Sequence, residues 1–273
     1  MSVETRHTAP TVSPAFRTRL ATARRHKRWG NPLAGLGSLV WLVLVVVPLY
    51  TLISSSLMHQ DEALNGDPLA FPTDPMLDNY RTVLDSGFWT LLGNTAIVAA
   101  STVAIVLVLA VPVAYVAVRT RSRLSSLAFR TFLLGVAIPA QAVIVPLYLL
   151  IGKMGLYDSL PAIILPTAAF AMPVAVLILS GTMRDVSMSK GGISTVAIYT
   201  ALQAWNGFLF PLILTQSEEN RVLTLGLFNF QTQFGVNIPA TLAAIVLSVV
   251  PIFAVYLVAR KALINGLMGV GGK

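Results

Sequence analysis

The chain has 273 residues, of which 55% are hydrophobic and 11% charged, with a mean hydropathy of +0.76 and no cysteine. Soluble domains carry about 25% charged residues, so an ordinary soluble fold is excluded, and the lack of cysteine excludes disulfides, thiol chemistry and cysteine-ligated metals. The formal net charge is +8, yet no groove-reading or base-stacking motif accompanies it, so nucleic acid is not an expected partner.

Residues 1–30 hold Arg6, Arg17, Arg19, Arg24, Arg25, Lys27 and Arg28 against Glu4. Such a tail before a membrane span fixes orientation and meets anionic lipid headgroups, so a basic cytoplasmic tail is expected. Charge-free runs then cover 29–60, 86–118, 131–152, 159–183, 191–217 and 222–259. Each is at least as long as the roughly 20 residues a helix needs to cross about 30 Å of hydrocarbon. The expected fold is all-α: a polytopic membrane protein with six transmembrane helices. The membrane domain would occupy 31–273, with a core at about 88–262.

Span one, Pro32–Leu57, is too long for a signal-peptide core of about 7–15 residues, so it is read as uncleaved. The longest loop, 58–88, carries Asp61, Glu62, Asp67, Asp74, Asp78 and Asp85, opposed by Arg81. Span two runs from about Trp89 to Val118, and the link after it holds Arg119, Arg121, Arg123 and Arg130 without an acid. Span three, about Thr131–Ile151, contains Pro139 and Pro146; span four covers about Leu160–Thr182. Arg184, Asp185 and Lys190 mark the next link, before span five at about Ile193–Leu214. A short surface helix is expected around Leu223–Phe230, and span six at about Pro239–Val258, ending in Arg260 and Lys261. Lys and Arg crowd the tail and the links after spans two, four and six, whereas Arg81, Lys153 and Arg221 stand alone on the other side. The positive-inside rule therefore puts both termini in the cytoplasm.

No charged residue sits deep in a span, and His7, His26 and His59 lie outside the central part of any span. Neither an acid–base pair nor a metal constellation can be assembled, so the chain is not expected to be an enzyme or to hold a cofactor. The glycine-rich end, Gly266–Lys273, lacks the spacing and following helix of a phosphate loop. The spans do contain uncharged polar and aromatic groups: Asn94, Gln141, Gln203, Trp205, Asn206 and Phe208 are candidates to line a path for a neutral solute. The same kinds of group also join neighbouring helices by hydrogen bonds, and the residues alone leave both roles open.

Several motifs follow one another in order: Asp78-Asn79-Tyr80, Gly93-Asn94-Thr95, Ile138-Pro139 and Val145-Pro146-Leu147-Tyr148. Then come Gly155-Leu156-Tyr157-Asp158-Ser159, Ala171-Met172-Pro173, Trp205-Asn206-Gly207-Phe208 with Pro211-Leu212-Ile213-Leu214, and Gly266–Lys273. From about residue 30 onward the chain resembles the inner-membrane permease subunits of bacterial ATP-binding-cassette importers for carbohydrates, of the maltose-transporter type. That resemblance implies a sugar or oligosaccharide as cargo and a second permease subunit beside this one. It also implies a cytoplasmic ATPase dimer and an extracytoplasmic sugar-binding protein. The family carries a cytoplasmic Glu-Ala-Ala loop between spans four and five that docks the ATPase. No Glu-Ala-Ala occurs in this chain, and Met183-Arg184-Asp185-Val186 runs directly into Ser187-Met188-Ser189-Lys190-Gly191-Gly192. No coupling residue can be carried over. Alongside the coupled importer, an uncoupled or non-transporting membrane subunit and an ATP-independent facilitator are the alternatives.

Overall fold

A computed structural model describes residues 32–120, 122–183, 190–232 and 235–271. The tail at 1–30 and most of the 183–190 link, including the 186–187 junction, lie outside the described residues. Contacts divide the chain into two units, 1–49 and 50–273. In the first, the described residues belong to helix α1 (Pro32–Ser56), which continues into the second unit; Leu36, Trp41 and Leu44 on it are exposed.

In the second unit, α2 (Gln60–Asn65) and α3 (Asp78–Val83) are followed by a kinked turn, Leu84–Phe88, and the long helix α4 (Trp89–Arg119). Next come α5 (Arg123–Leu133), α6 (Ile144–Lys153) and α7 (Leu160–Met183). The chain closes with α8 (Lys190–Trp205), α9 (Leu209–Leu214), α10 (Leu223–Gly226) and α11 (Ile238–Gly271). A two-residue hairpin, Gln231–Thr232 with Gly235–Val236, is the one sheet among the described residues.

Four described helical stretches are long and apolar enough to cross a membrane: Leu33–Ser56, Asp78–Arg119, Leu160–Met183 and Ile238–Leu257. Arg123–Ala137 and Ala140–Lys153 meet at 93° and add a fifth if they form one broken span. The chain is thus a helical, polytopic membrane protein. Span three and span five, expected as single helices, are each interrupted. Span three also starts earlier than expected, because Ser122 is extended and its Oγ accepts from the backbone N–H of Ser125 at 3.0 Å. That capping interaction starts a helix inside what reads as a basic link.

The core lies where α4 packs on α7 and α8. Buried positions on α4 recur every four residues at Val98, Thr102, Val106, Ala110 and Ala114, which places them along one helical face. Ala168, Ala171, Ala175 and Leu179 of α7 and Val196 of α8 meet the lower part of this face. With apolar solvent around the helices, small side chains that permit close backbone approach supply the packing energy. The same economy of space appears where α5 runs on into a 3-10 turn, Leu134–Ala137. A Cβ on Gly135 would lie 2.8 Å from Cγ of Pro173 on α7.

Polar side chains lock the loops at one end of this bundle. Asn79 is buried, and its Nδ2 donates to the carbonyls of Ser56 and Met58, both at 3.0 Å, tying α3 to the end of α1. After α6 the chain turns in a Schellman motif: Leu156 N–H bonds the Ile151 carbonyl at 3.1 Å and Gly155 N–H bonds that of Gly152 at 3.0 Å. The turn requires a positive φ at Gly155, 68°, which a residue without Cβ adopts freely. Asp158, also at positive φ (57°), then reaches across to the segment after α9. Its Oδ1 accepts from the backbone N–H of Gln216 (2.9 Å), the backbone N–H of Ser217 (3.0 Å) and Ser217 Oγ (3.0 Å). Its own N–H bonds the Leu214 carbonyl at 2.9 Å. Those backbone donors, Gln216 first and Ser217 next, hold the Asp158 carboxyl below its ordinary value.

Two expectations follow. Because the folded-state pKa of Asp158 is lowered, its stabilising contribution is present above the unfolded aspartate value and lost as pH falls through the folded one. In detergent, acidification below the usual aspartate range of about 3.9 should therefore lower the unfolding temperature of the native chain more than that of Asp158→Asn; equal acid sensitivity would contradict the clamp. Gly135→Ala should cost about 1–3 kcal/mol of stability through its clash with Pro173. Gly152→Ala, with nothing within 4 Å of the new Cβ, should not destabilise. Thermal unfolding of the two variants side by side checks this pair.

Candidate functional site

The two interruptions arise from local chemistry. Ile138 is pushed to an extended conformation (φ −80°, ψ 114°) because it precedes Pro139, itself extended at ψ 130°. A second 3-10 turn, Ala140–Val143, leads into α6, where Pro146 is the third residue. The first turn of a helix has no intrahelical use for its N–H groups, so Pro146 costs nothing there. Span five repeats the device. α8 stops where Gly207 N–H bonds the Ala204 carbonyl at 3.3 Å and Asn206 Nδ2 bonds the Leu202 carbonyl at 2.8 Å. Helix α9 then restarts at Leu209, again with a proline, Pro211, as its third residue.

These breaks face a common cavity of about 260 Å3. Ala140 comes from the first break, Gln203, Gly207 and Phe208 from the second, and Thr167 and Phe170 from α7. Phe170 packs against Phe210 with ring centres 5.5 Å apart, and Phe208 against Phe228 at 5.8 Å. The lining combines the Gln203 amide and the Thr167 hydroxyl with the rings of Phe170, Phe208 and Phe210 and the aliphatic Ala140, Ala171 and Leu209, and has no charged side chain. Unpaired backbone inside a membrane is tolerated where it is covered by protein or lines a water-filled cavity. A cavity at two such breaks can offer hydrogen bonds and ring faces to a neutral polar solute. Among the described residues, no group of three or more His, Cys, Asp or Glu could hold a metal.

The six residues singled out by sequence fall into three groups. Gln203 and Phe208 line the cavity together. Gln141, in the same turn as Ala140, and Asn206, beside Gly207, are exposed next to it. Trp205 and Asn94 are engaged elsewhere. Trp205 packs against the cluster around Leu91, Phe230 and Ala244, and its Nε1 donates to the Ser248 carbonyl at 3.2 Å. Asn94 Nδ2 donates to the carbonyls of Glu219 (2.6 Å) and Arg221 (2.8 Å), and Thr95 Oγ1 accepts from the Leu223 N–H at 2.8 Å. Thr167 and Phe170 escaped the sequence reading. The available signal was their position between Pro166 and Pro173, where Thr167 is the one polar residue.

No protein-family profile matches the chain. It is 30% identical over 253 residues to the ABC transporter permease protein ORF2 of Caldicellulosiruptor sp., covering 84% of this chain and 92% of that one. It is 28% identical over 250 residues to the diacetylchitobiose uptake system permease protein NgcG of Streptomyces coelicolor, covering 82% of each. Its fold is shared with a chain of a bacterial ABC transporter involved in the import of the acidic polysaccharide alginate. The TM-score is 0.69, at 18% identity, over 93% of this chain and 99% of that one. With 30% identity across most of both chains and a matching helical fold, the chain belongs to the permeases of ATP-binding-cassette importers of the carbohydrate-uptake type.

Proposed function

We propose that this permease forms part of the translocation path for a neutral sugar or oligosaccharide, and that the cavity between the two broken spans is a station on that path. The observation that carries this is the convergence of both helix interruptions on an uncharged lining of Gln203, Thr167, Phe170 and Phe208. Gln141 and Asn206 are exposed beside lining residues in the sequence. Their amides suit the hydroxyls of a sugar, and the rings suit its apolar face. Diacetylchitobiose, the cargo named for the Streptomyces relative, is neutral. An acidic cargo such as alginate would call for basic groups, and the cavity has none.

In this reading the α5–α6 and α8–α9 pairs are each one broken span. The chain then crosses the bacterial inner membrane six times with both termini in the cytoplasm. The work comes from partners: a second permease subunit completes the path, an ATPase dimer drives it from the cytoplasm, and an extracytoplasmic binding protein delivers the sugar. The permease itself needs no catalytic group, only different affinities for those partners in each access state. Asn94 and Trp205 then serve the path indirectly, by holding the elements that frame it.

A second reading has its own support. The chain lacks a Glu-Ala-Ala pattern between spans four and five. In addition, the 253 aligned positions shared with the Caldicellulosiruptor relative exceed 84% of a 273-residue chain, so that relative has residues within the match that this chain lacks. A subunit without the coupling loop would assemble with its partner permease but transmit no ATPase stroke. Co-expression with both partners followed by purification in mild detergent separates the two. Recovery of permease pair and ATPase together, with ATP-dependent uptake that Gln203→Ala reduces about two- to tenfold through loss of a hydrogen bond, supports the coupled importer. Recovery of the permease pair alone supports the uncoupled subunit.

A further inference from the structure

Helix α4 ends at Arg119, and α5 starts four residues later, at Arg123, under the Ser122 cap. At this corner lies a polar cavity of about 400 Å3, bounded by Thr120, Ser122, Arg123 and Ser126 and, from α7, by Ser180. Ser180 is 2% exposed, and its Oγ has no hydrogen-bond partner. A buried hydroxyl is unfavourable until something pairs with it. Arg123 has no acidic partner among the described residues, and the surrounding link from 119 to 130 contains no acid at all. The corner therefore combines a free cation, the N-terminus of an 11-residue helix and an orphaned hydroxyl, all of which favour an anion.

A second, apolar groove of about 380 Å3 adjoins it, sharing Ala117 and Phe129. Pro112, Val113 and Val116 of α4 form one wall, and Ala128 and Phe132 of α5 the other. The start of α5 also exposes Leu124 and Leu127 beside Arg123, apolar and basic groups together as befits the end of a span at the headgroup level.

We propose that the two joined cavities bind one anionic phospholipid, its phosphate held by Arg123, the α5 N-terminus and Ser180, and one acyl chain laid along the apolar groove. A soluble anion would use the polar half alone and leave the groove empty. Along the groove a sugar would find one polar side chain, Ser125, among seven apolar residues. A phospholipid matches both halves at once. This rests on the chain being a membrane-embedded permease with Arg119–Arg130 on the cytoplasmic side, and not on its transporting anything. Bound there, the lipid would fill the wedge between α4 and α5 and steady the element that leads into the first helix break.

The test is native mass spectrometry of the full chain, delipidated in detergent and titrated with phosphatidylglycerol, phosphatidylcholine or inorganic phosphate. Phosphatidylglycerol should be retained preferentially. Arg123→Gln should weaken that retention about fivefold, the effect of one basic side chain near anionic lipid. Val116→Trp, filling the groove from an exposed position, should weaken it as well, whereas Arg130→Gln, outside both cavities, should not. Retention that is equal for both lipids, or unchanged in Arg123→Gln and Val116→Trp, would overturn the proposal. So would displacement of the lipid by inorganic phosphate, which would mark a site for phosphate alone. Lipid retention is read without any transport assay, so loss of uptake and loss of this site are distinguishable.

Discussion

A helix in hydrocarbon satisfies its own backbone, and a break in it does not; every freed N–H and carbonyl needs a partner or a wet cavity. Two breaks of this kind, at Ile138-Pro139 and at Asn206-Gly207-Phe208, dictate much of what surrounds them. Both restart with a proline as third residue of the next helix, so the missing donor falls where no intrahelical bond was due. Asn206 returns its amide to the helix that ends there. Much of the rest is paired locally, as the Pro139 carbonyl is with the Ala142 N–H and the Gly207 carbonyl with Thr224 Oγ1. Residues of both breaks line a shared cavity whose polar and aromatic side chains are of the kinds that can compete with water for a sugar.

Such breaks hold their shape only if the pieces on either side are fixed, and the loop end of the bundle does this with a few strong hydrogen bonds. Asp158 ties the turn after α6 to the segment after α9. Asn94 and Thr95 tie α4 to the segment that leads into α10, and Gln60 spans the Val236 carbonyl and the Ile238 N–H. Midway along α7, Gly135 lets the first break press onto Pro173. The short helices therefore have defined positions although neither α6 nor α9 is long enough to cross a membrane alone.

The parts of the fold that follow from solvation were legible in the sequence. α1, α4 and α7 end within about a residue of the limits that charge and hydropathy suggest, because a charged or loop-forming residue stands at each boundary. α11 starts where expected and runs on to Gly271, since helix formation does not stop at the basic pair Arg260-Lys261. The breaks were not legible. Spans three and five carry no charge and are apolar on average, so hydropathy reads through Ile138 and Gly207, and a proline in a span signals equally a kink, a break or a helix start. The start of α5 was hidden because four arginines outweigh a serine cap when only charge is counted. At the site, Gln203 and Phe208 could be named as polar or aromatic groups in an apolar run. Whether such a group faces a cavity or a neighbouring helix depends on tertiary packing, and that is why Trp205 and Asn94 looked equivalent to them. The motifs that carried the family resemblance largely turn out to be architecture: Gly155 and Asp158 make a turn and a clamp, Asn79 a strut, and Pro211 a helix start.

The absence of native cysteine makes the proposed path directly measurable in the membrane. Single cysteines at Gln203 and Phe208, and at Val108 on an exposed apolar face of α4, can be challenged with a water-soluble methanethiosulfonate reagent in vesicles holding the assembled permease pair. A path at the helix breaks predicts rapid modification at 203 and 208, slowed by transported sugar, and no modification at 108. Residues 203 and 208 as unreactive as 108, with or without sugar, would contradict it.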